Sequence, residues 1–115
     1  MNRTEFTAKI VLLMFNMIKE DEYPIGDFWL RSAEEQNRLY QIGRDANGNK
    51  IGKILTERDG YKNPSAHQSG KALDIYFIEG GKMVPPKLGY EHWHSEWEKM
   101  GGQPMIEWDV GHFEG

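Results

Sequence analysis

The stretch SAHQSGKALDIYFI, residues 65–78, joins a turn-rich loop to an apolar run. Its second half is rich in β-forming side chains and has about the length of one strand. Side chains alternate between the two faces of a strand, so Leu73, Ile75 and Phe77 are predicted to share one face. Asp74 then lies on the opposite face, as an ionisable group in a strand of buried character.

The carboxylate of Asp74 costs free energy in a buried strand unless it is paired or binds a metal. His67 lies on the loop that leads into the strand, and Gly70 between them lets the backbone bend back. A neutral imidazole and a carboxylate at such a junction are good zinc ligands. The stretch therefore predicts two ligands of a zinc site, His67 and Asp74.

The C-terminal segment WDVGHFE, residues 108–114, supplies a third candidate ligand, His112, and a carboxylate, Asp109. Three protein ligands leave the fourth tetrahedral position to water, as in catalytic zinc sites. A carboxylate beside that water can act as general base. Glu107 could also approach if the segment is extended, and Gly111 could break a regular strand so that Asp109 and His112 converge.

The motif SxHxxGxxxD, residues 65–74, followed by DxxHxE, residues 109–114, resembles the zinc peptidases of peptidase family M15. These are D-alanyl-D-alanine carboxypeptidases, related dipeptidases, and the phage and bacterial L-alanyl-D-glutamate endopeptidases that cut peptidoglycan stems. The resemblance extends upstream to RSAEEQ, residues 31–36, and thus covers most of the chain.

The resemblance implies a role for each matching residue. His67, Asp74 and His112 would bind the zinc ion. Asp109 would be the catalytic base, and Arg31 would orient the substrate or stabilise developing negative charge. The chain departs from the family at residues 100–107, which are compact, and at Gly111, where members often carry proline. These departures leave the substrate preference open, because residues 100–107 would form one wall of the substrate cleft.

Composition restricts the other possibilities. The 115 residues predict one domain, 1–115, with a real core. A net charge of −4 argues against nucleic-acid binding, and the lack of cysteine excludes disulfides and thiolate–zinc sites. The apolar run at residues 10–15 is too short for a signal peptide or a membrane span. We expect a monomeric protein, made in the cytoplasm and without membrane insertion, that acts at the cell wall after release.

Local patterns predict the remaining elements. Helices are expected from an Asn2–Glu5 capping pair to a point before Pro24, from the Ser32–Glu35 capping pair to Gly43, and over residues 88–100. Short strands are expected at residues 28–30 and 51–56, the second after an Asn-Gly turn. His92 and His94 are rival ligands, but residues two apart on a helix point about 200° from each other and cannot share one ion. We therefore interpret both as surface histidines.

Together these patterns predict an α+β fold: a small, mainly antiparallel sheet with helices packed against it and one zinc ion at the sheet edge. The predicted function is zinc-dependent hydrolysis of peptidoglycan stem peptides, as an L-alanyl-D-glutamate endopeptidase of the phage endolysin type. The alternatives are a D-alanyl-D-alanine carboxypeptidase or dipeptidase, and a non-catalytic wall- or peptide-binding module with a structural zinc.

Overall fold

A computed structural model describes residues 1–27, 32–62 and 64–115. Within these ranges the chain forms, in order, α1 (Arg3–Lys19), β1 (Ile25–Asp27), α2 (Ala33–Gln41), β2 (Ala72–Glu79), β3 (Lys82–Val84), α3 (Tyr90–Lys99) and β4 (His112–Glu114). The predicted α+β class is confirmed.

Strand β2 organises the sheet, because it pairs antiparallel with β1, β3 and β4. Asp74 lies opposite Asp27 of β1 and opposite His112 of β4. The hairpin to β3 turns through Gly80 and Gly81, whose φ angles of 59° and 77° favour glycine. The eight residues of β2 therefore fix the positions of all three partner strands.

Leu73, Ile75 and Phe77 share one face of β2, as the alternation predicts, and the core lies on that face. Helices α1 and α3 cover this face, and β4 contributes Phe113. The buried side chains are Phe6, Ile10, Leu13 and Met17 of α1, Leu73, Ile75 and Phe77 of β2, Trp93 and Trp97 of α3, and Phe113. Helix α2 instead borders a cleft on the opposite face of β2, where Asp74 and Tyr76 lie.

The helix boundaries follow from capping. The Asn2 side chain accepts the Glu5 N–H at 2.8 Å, and Ser32 Oγ accepts the Glu35 N–H at 3.0 Å. Gly43, with φ of 83°, follows the end of α2. No helix in the described part of the chain is long and apolar enough to span a membrane.

The strand predicted at residues 51–56 is wrong. Residues 51–56 form no strand, and an isolated bridge between Arg44 and Lys50 flanks the Asn-Gly turn. The end of this segment is held by a side chain and not by a partner strand. The Arg44 guanidinium donates to the Thr56 carbonyl at 3.0 Å and to Glu57 Oε2 at 3.1 Å. The strand predicted at residues 28–30 lies outside the described residues.

Candidate metal centre

The sheet register brings two of the predicted ligands together. Asp74 on β2 and His112 on β4 are direct cross-strand partners, so their side chains project from the same face. Phe113 lies between His112 and Glu114 on β4 and is fully buried in the core on the opposite face. The burial of Phe113 therefore fixes which way His112 points.

A tight loop places the third ligand, His67, beside them. Gly70 N–H donates to the His67 carbonyl at 3.2 Å, and Lys71 N–H donates to the Ala66 carbonyl at 2.9 Å. Gly70 adopts φ of 69°, a conformation that other residues rarely adopt. The loop thus returns the chain to β2 with His67 nearly buried at 4% exposure.

The two imidazoles, of His67 and His112, converge on one carboxylate oxygen of Asp74. Asp74 Oδ1 is 3.5 Å from His67 Nε2 and 3.2 Å from His112 Nδ1. One ligand atom from each residue lies within 4.8 Å of the other two. Two ligands of a tetrahedral zinc ion, each about 2.0–2.1 Å from it, are about 3.3–3.4 Å apart. The spacing and the chemistry of this donor set therefore fit a metal ion such as zinc.

Electrostatics in the metal-free cluster favour an ion pair. Burial alone would lower the pKa of His112, but hydrogen bonds to Asp74 and Glu114 outweigh it and raise that pKa to about 9. Burial alone would raise the pKa of Asp74, but hydrogen bonds from His112 and His67 lower it to about 2. Metal binding at His112 Nδ1 must therefore displace a proton.

A cleft of about 1090 Å³ opens over the cluster. Asp109 lines it together with the three ligand candidates, whereas Glu107 is exposed and is not among the lining residues. Asp109 also helps to raise the pKa of His112 through its negative charge. The structure thus brings Asp109, and not Glu107, to the wall that holds the cluster.

A turn connects Asp109 to His112, whose N–H donates to the Asp109 carbonyl at 3.1 Å. Gly111 permits this turn through close approach to its neighbours. A Cβ there would lie 2.9 Å from the Tyr76 ring and 3.1 Å from the Ile75 carbonyl oxygen. Tyr76 therefore accounts for glycine at a position where the resembling family often carries proline.

The rival histidines have different environments. His92 is exposed, in agreement with its interpretation as a surface histidine. The same interpretation is wrong for His94, which is 2% exposed, stacks on Phe113 at 3.9 Å between ring centroids, and pairs through Nε2 with the Val110 carbonyl at 2.6 Å. His94 supports the turn that carries His112 and is not part of the ligand cluster.

The sequence patterns gave no role to Glu114 or Tyr76, which line the cleft with the ligand candidates. Glu114, quoted only as part of a motif, places Oε1 3.1 Å from His112 Nε2. Tyr76 also lines the cleft. Burial, and to a smaller extent the negative charge of nearby carboxylates, raises the pKa of Tyr76 to about 12, so its phenol stays protonated at neutral pH. Glu114 lies two residues after His112, and Tyr76 lies two residues after Asp74. Residues two apart share one face of a strand, so this spacing could have identified both. Arg31 lies outside the described residues.

Polar side chains of α2 and of the His67 loop hold the remaining wall of the cleft. Gln36 is buried and donates to the Arg58 carbonyl at 2.8 Å and to Thr56 Oγ1 at 3.2 Å. Gln68 donates to the Gly60 carbonyl at 2.9 Å. Side-chain hydrogen bonds therefore fix a segment that lacks regular secondary structure.

Comparison of the chain with protein-family models and with curated proteins returned no match. The peptidase resemblance consequently rests on the two motifs, residues 65–74 and 109–114, and on the upstream segment, residues 31–36.

Proposed function

We propose that this protein is a zinc-dependent peptidase that hydrolyses peptidoglycan stem peptides, as an L-alanyl-D-glutamate endopeptidase of the endolysin type. The convergence of His67, Asp74 and His112 on the wall of an open cleft carries the proposal. Three ligands in an accessible site are typical of catalytic zinc, whereas structural zinc is normally closed by a fourth protein ligand.

The donor set supports zinc chemistry at this site. A zinc ion held by the two imidazoles and the Asp74 carboxylate would polarise a scissile carbonyl and make water nucleophilic near neutral pH. The Asp109 carboxylate, on the same wall, accepts the proton of the attacking water. Arg31 remains the proposed partner of a substrate carboxylate or developing oxyanion.

The chemistry of the cleft supports an anionic peptide as substrate. Arg58 and Lys71 line it and can attract carboxylates, although the whole chain carries a net charge of −4. Trp108 lines the same cleft and is 90% exposed, so its ring is available to apolar parts of a substrate. A stem peptide offers both features, since it combines free carboxylates with alanine methyl groups.

Digestion of purified peptidoglycan followed by mass spectrometry of the soluble fragments tests the proposal. The zinc-loaded protein should expose a new amino terminus on D-glutamate, and a chelator or His67→Ala should prevent this. Release of terminal D-alanine alone would instead assign a carboxypeptidase. A protein that binds zinc but leaves the polymer intact would contradict a peptidase and favour a structural metal.

A further inference from the structure

The carboxylate of Glu114 contacts His112 at the nitrogen that faces away from the ligand cluster. Glu114 Oε1 is 3.1 Å from His112 Nε2, while Nδ1 of the same ring is 3.2 Å from Asp74 Oδ1. The two residues lie two positions apart on β4, so their side chains share one face of the strand. The imidazole is therefore held between two carboxylates, one at each nitrogen.

The backbone of Glu114 is anchored to the core. Its carbonyl accepts the indole N–H of Trp97 and the backbone N–H of Gln103, each at 2.8 Å. Trp97 is fully buried, and Glu114 is also paired with Ala72 in the register of β4 with β2. These contacts fix where the Glu114 side chain starts, so its reach to His112 is set by the fold.

The position of a single proton decides which nitrogen of a neutral imidazole can bind a metal. When Nε2–H donates to Glu114, the lone pair of Nδ1 faces Asp74 Oδ1. Two acceptors at this distance repel each other, and a cation between them converts the repulsion into two ligand bonds. Metal-binding histidines commonly donate their other N–H to a carboxylate in this way.

We propose that Glu114 is a positioning residue that holds the proton of His112 on Nε2 and thereby directs Nδ1 to the zinc ion. The inference rests on the proposed zinc site and assigns that site a residue beyond its three ligands. Without Glu114, His112 can keep its proton on Nδ1 and donate to Asp74, which removes both side chains from metal binding.

Zinc affinity, measured by competition with a chromophoric chelator, tests the role directly. Glu114→Ala should weaken zinc binding about 10- to 100-fold. Glu114→Gln keeps an oxygen that accepts the Nε2–H and should retain most of the affinity. Glu107→Ala is the matched control, because it removes a nearby exposed carboxylate that does not line the cleft; it should bind zinc like the unaltered protein.

Two further measurements separate positioning from folding or simple charge. Long-range ¹H–¹⁵N spectra of the unaltered zinc-loaded protein should show His112 protonated at Nε2 and metal-bound at Nδ1. The visible spectrum of the Co²⁺-loaded protein should change in Glu114→Ala and be restored in Glu114→Gln.

Several results would overturn the inference. Metal bound through Nε2 of His112 would do so even if the alanine variant failed to fold. Equal zinc affinity in Glu114→Ala and the unaltered protein would remove the role of Glu114 but leave the zinc site intact. An equal loss in Glu114→Gln would show that charge, and not the hydrogen bond, matters. Failure of the unaltered protein to bind zinc would refute the proposed site as well.

Discussion

At the scale of single residues, the position of Asp109 separates it from the other carboxylate of its segment. Asp109 lines the cleft with the three ligand candidates, while Glu107 two residues earlier does not. The Asp109 N–H donates to the Ile106 carbonyl at 3.0 Å, so a turn replaces the extended segment on which Glu107 and Asp109 would point the same way. Of these two carboxylates, Asp109 is therefore the one placed to act on a water over the cluster.

We predict that Asp109→Asn keeps the zinc ion and the fold but loses about 10²–10⁴-fold in turnover, the usual cost of losing a general base. Turnover on peptidoglycan and zinc content by elemental analysis measure the two effects separately. Glu107→Gln is the control and should cost far less. An active Asp109→Asn beside an inactive Glu107→Gln would reverse the assignment of the base while leaving the ligands unchanged.

A second residue-scale prediction concerns how the stability of the metal-free protein depends on pH. The pKa of His112 rises from 6.5 to about 9 on folding, so its contribution to stability is complete below 6.5 and is lost as pH rises through 9. The pKa of Asp74 falls from 3.8 to about 2, so its contribution is complete above 3.8 and is lost as pH falls through 2. The pair should therefore stabilise the protein most between pH 3.8 and 6.5.

Urea unfolding over a pH series, with chelator present, measures this dependence. In Asp74→Asn the difference from the unaltered protein should be largest in that window and should shrink toward both extremes. A difference that is independent of pH would show that Asp74 and His112 do not form an ion pair in the metal-free protein.

At the scale of elements, the start of β4 depends on close packing against β2. The Gly111 carbonyl accepts the Ile75 N–H at 2.7 Å, which draws this backbone onto the strand that bears Asp74. The ring of Tyr76 fills the space beside Gly111. The next residue, His112, therefore takes its position from backbone contact and not from its own side chain.

We predict that Gly111→Ala lowers the free energy of unfolding by about 1–3 kcal/mol, because the added methyl group overpacks the contact with Tyr76. Zinc affinity should fall with it, since β4 must shift. Gly52→Ala is the control, because the nearest atom to its Cβ is at 3.6 Å, an ordinary contact. Chemical denaturation and zinc titration of both variants test the prediction, which fails if the two behave alike.

At the scale of the whole molecule, a buried carboxylate joins the end of α1 to α3. Glu22 is 3% exposed and accepts the indole N–H of Trp93 at 2.5 Å and the backbone N–H of Lys87. Trp93 lies in the core with α1 and β2. Glu22 thus ties together segments that are far apart in the sequence and that cover the same face of the sheet.

We predict that Glu22→Ala destabilises the protein by about 1–3 kcal/mol, because the buried indole N–H of Trp93 loses its acceptor. Glu20→Ala removes an exposed carboxylate from the same region and should change stability by less than about 0.5 kcal/mol. Thermal and urea unfolding compare the two variants. Similar small effects in both would show that water replaces the carboxylate at Trp93 and Lys87.

The amino-acid sequence by itself determined the features that arise from neighbouring residues. Alternation in residues 72–78 predicted that Leu73, Ile75 and Phe77 share one face of β2, and helix caps at Asn2 and Ser32 predicted where α1 and α2 begin. It also nominated His67, Asp74 and His112 as a ligand set. These signals are local, since strand alternation, capping and turn chemistry each act over a few residues.

Only the tertiary structure decided the features that depend on distant partners. His94 is buried against Phe113, and residues 51–56 lack strand pairing, with the Thr56 carbonyl bonded to the Arg44 side chain. Glu114 acquires its contact with His112 because Phe113, Trp97 and β2 fix β4 in place. Side-chain hydrogen bonds and packing between remote segments leave no periodic trace in a sequence, so only the folded chain reveals them.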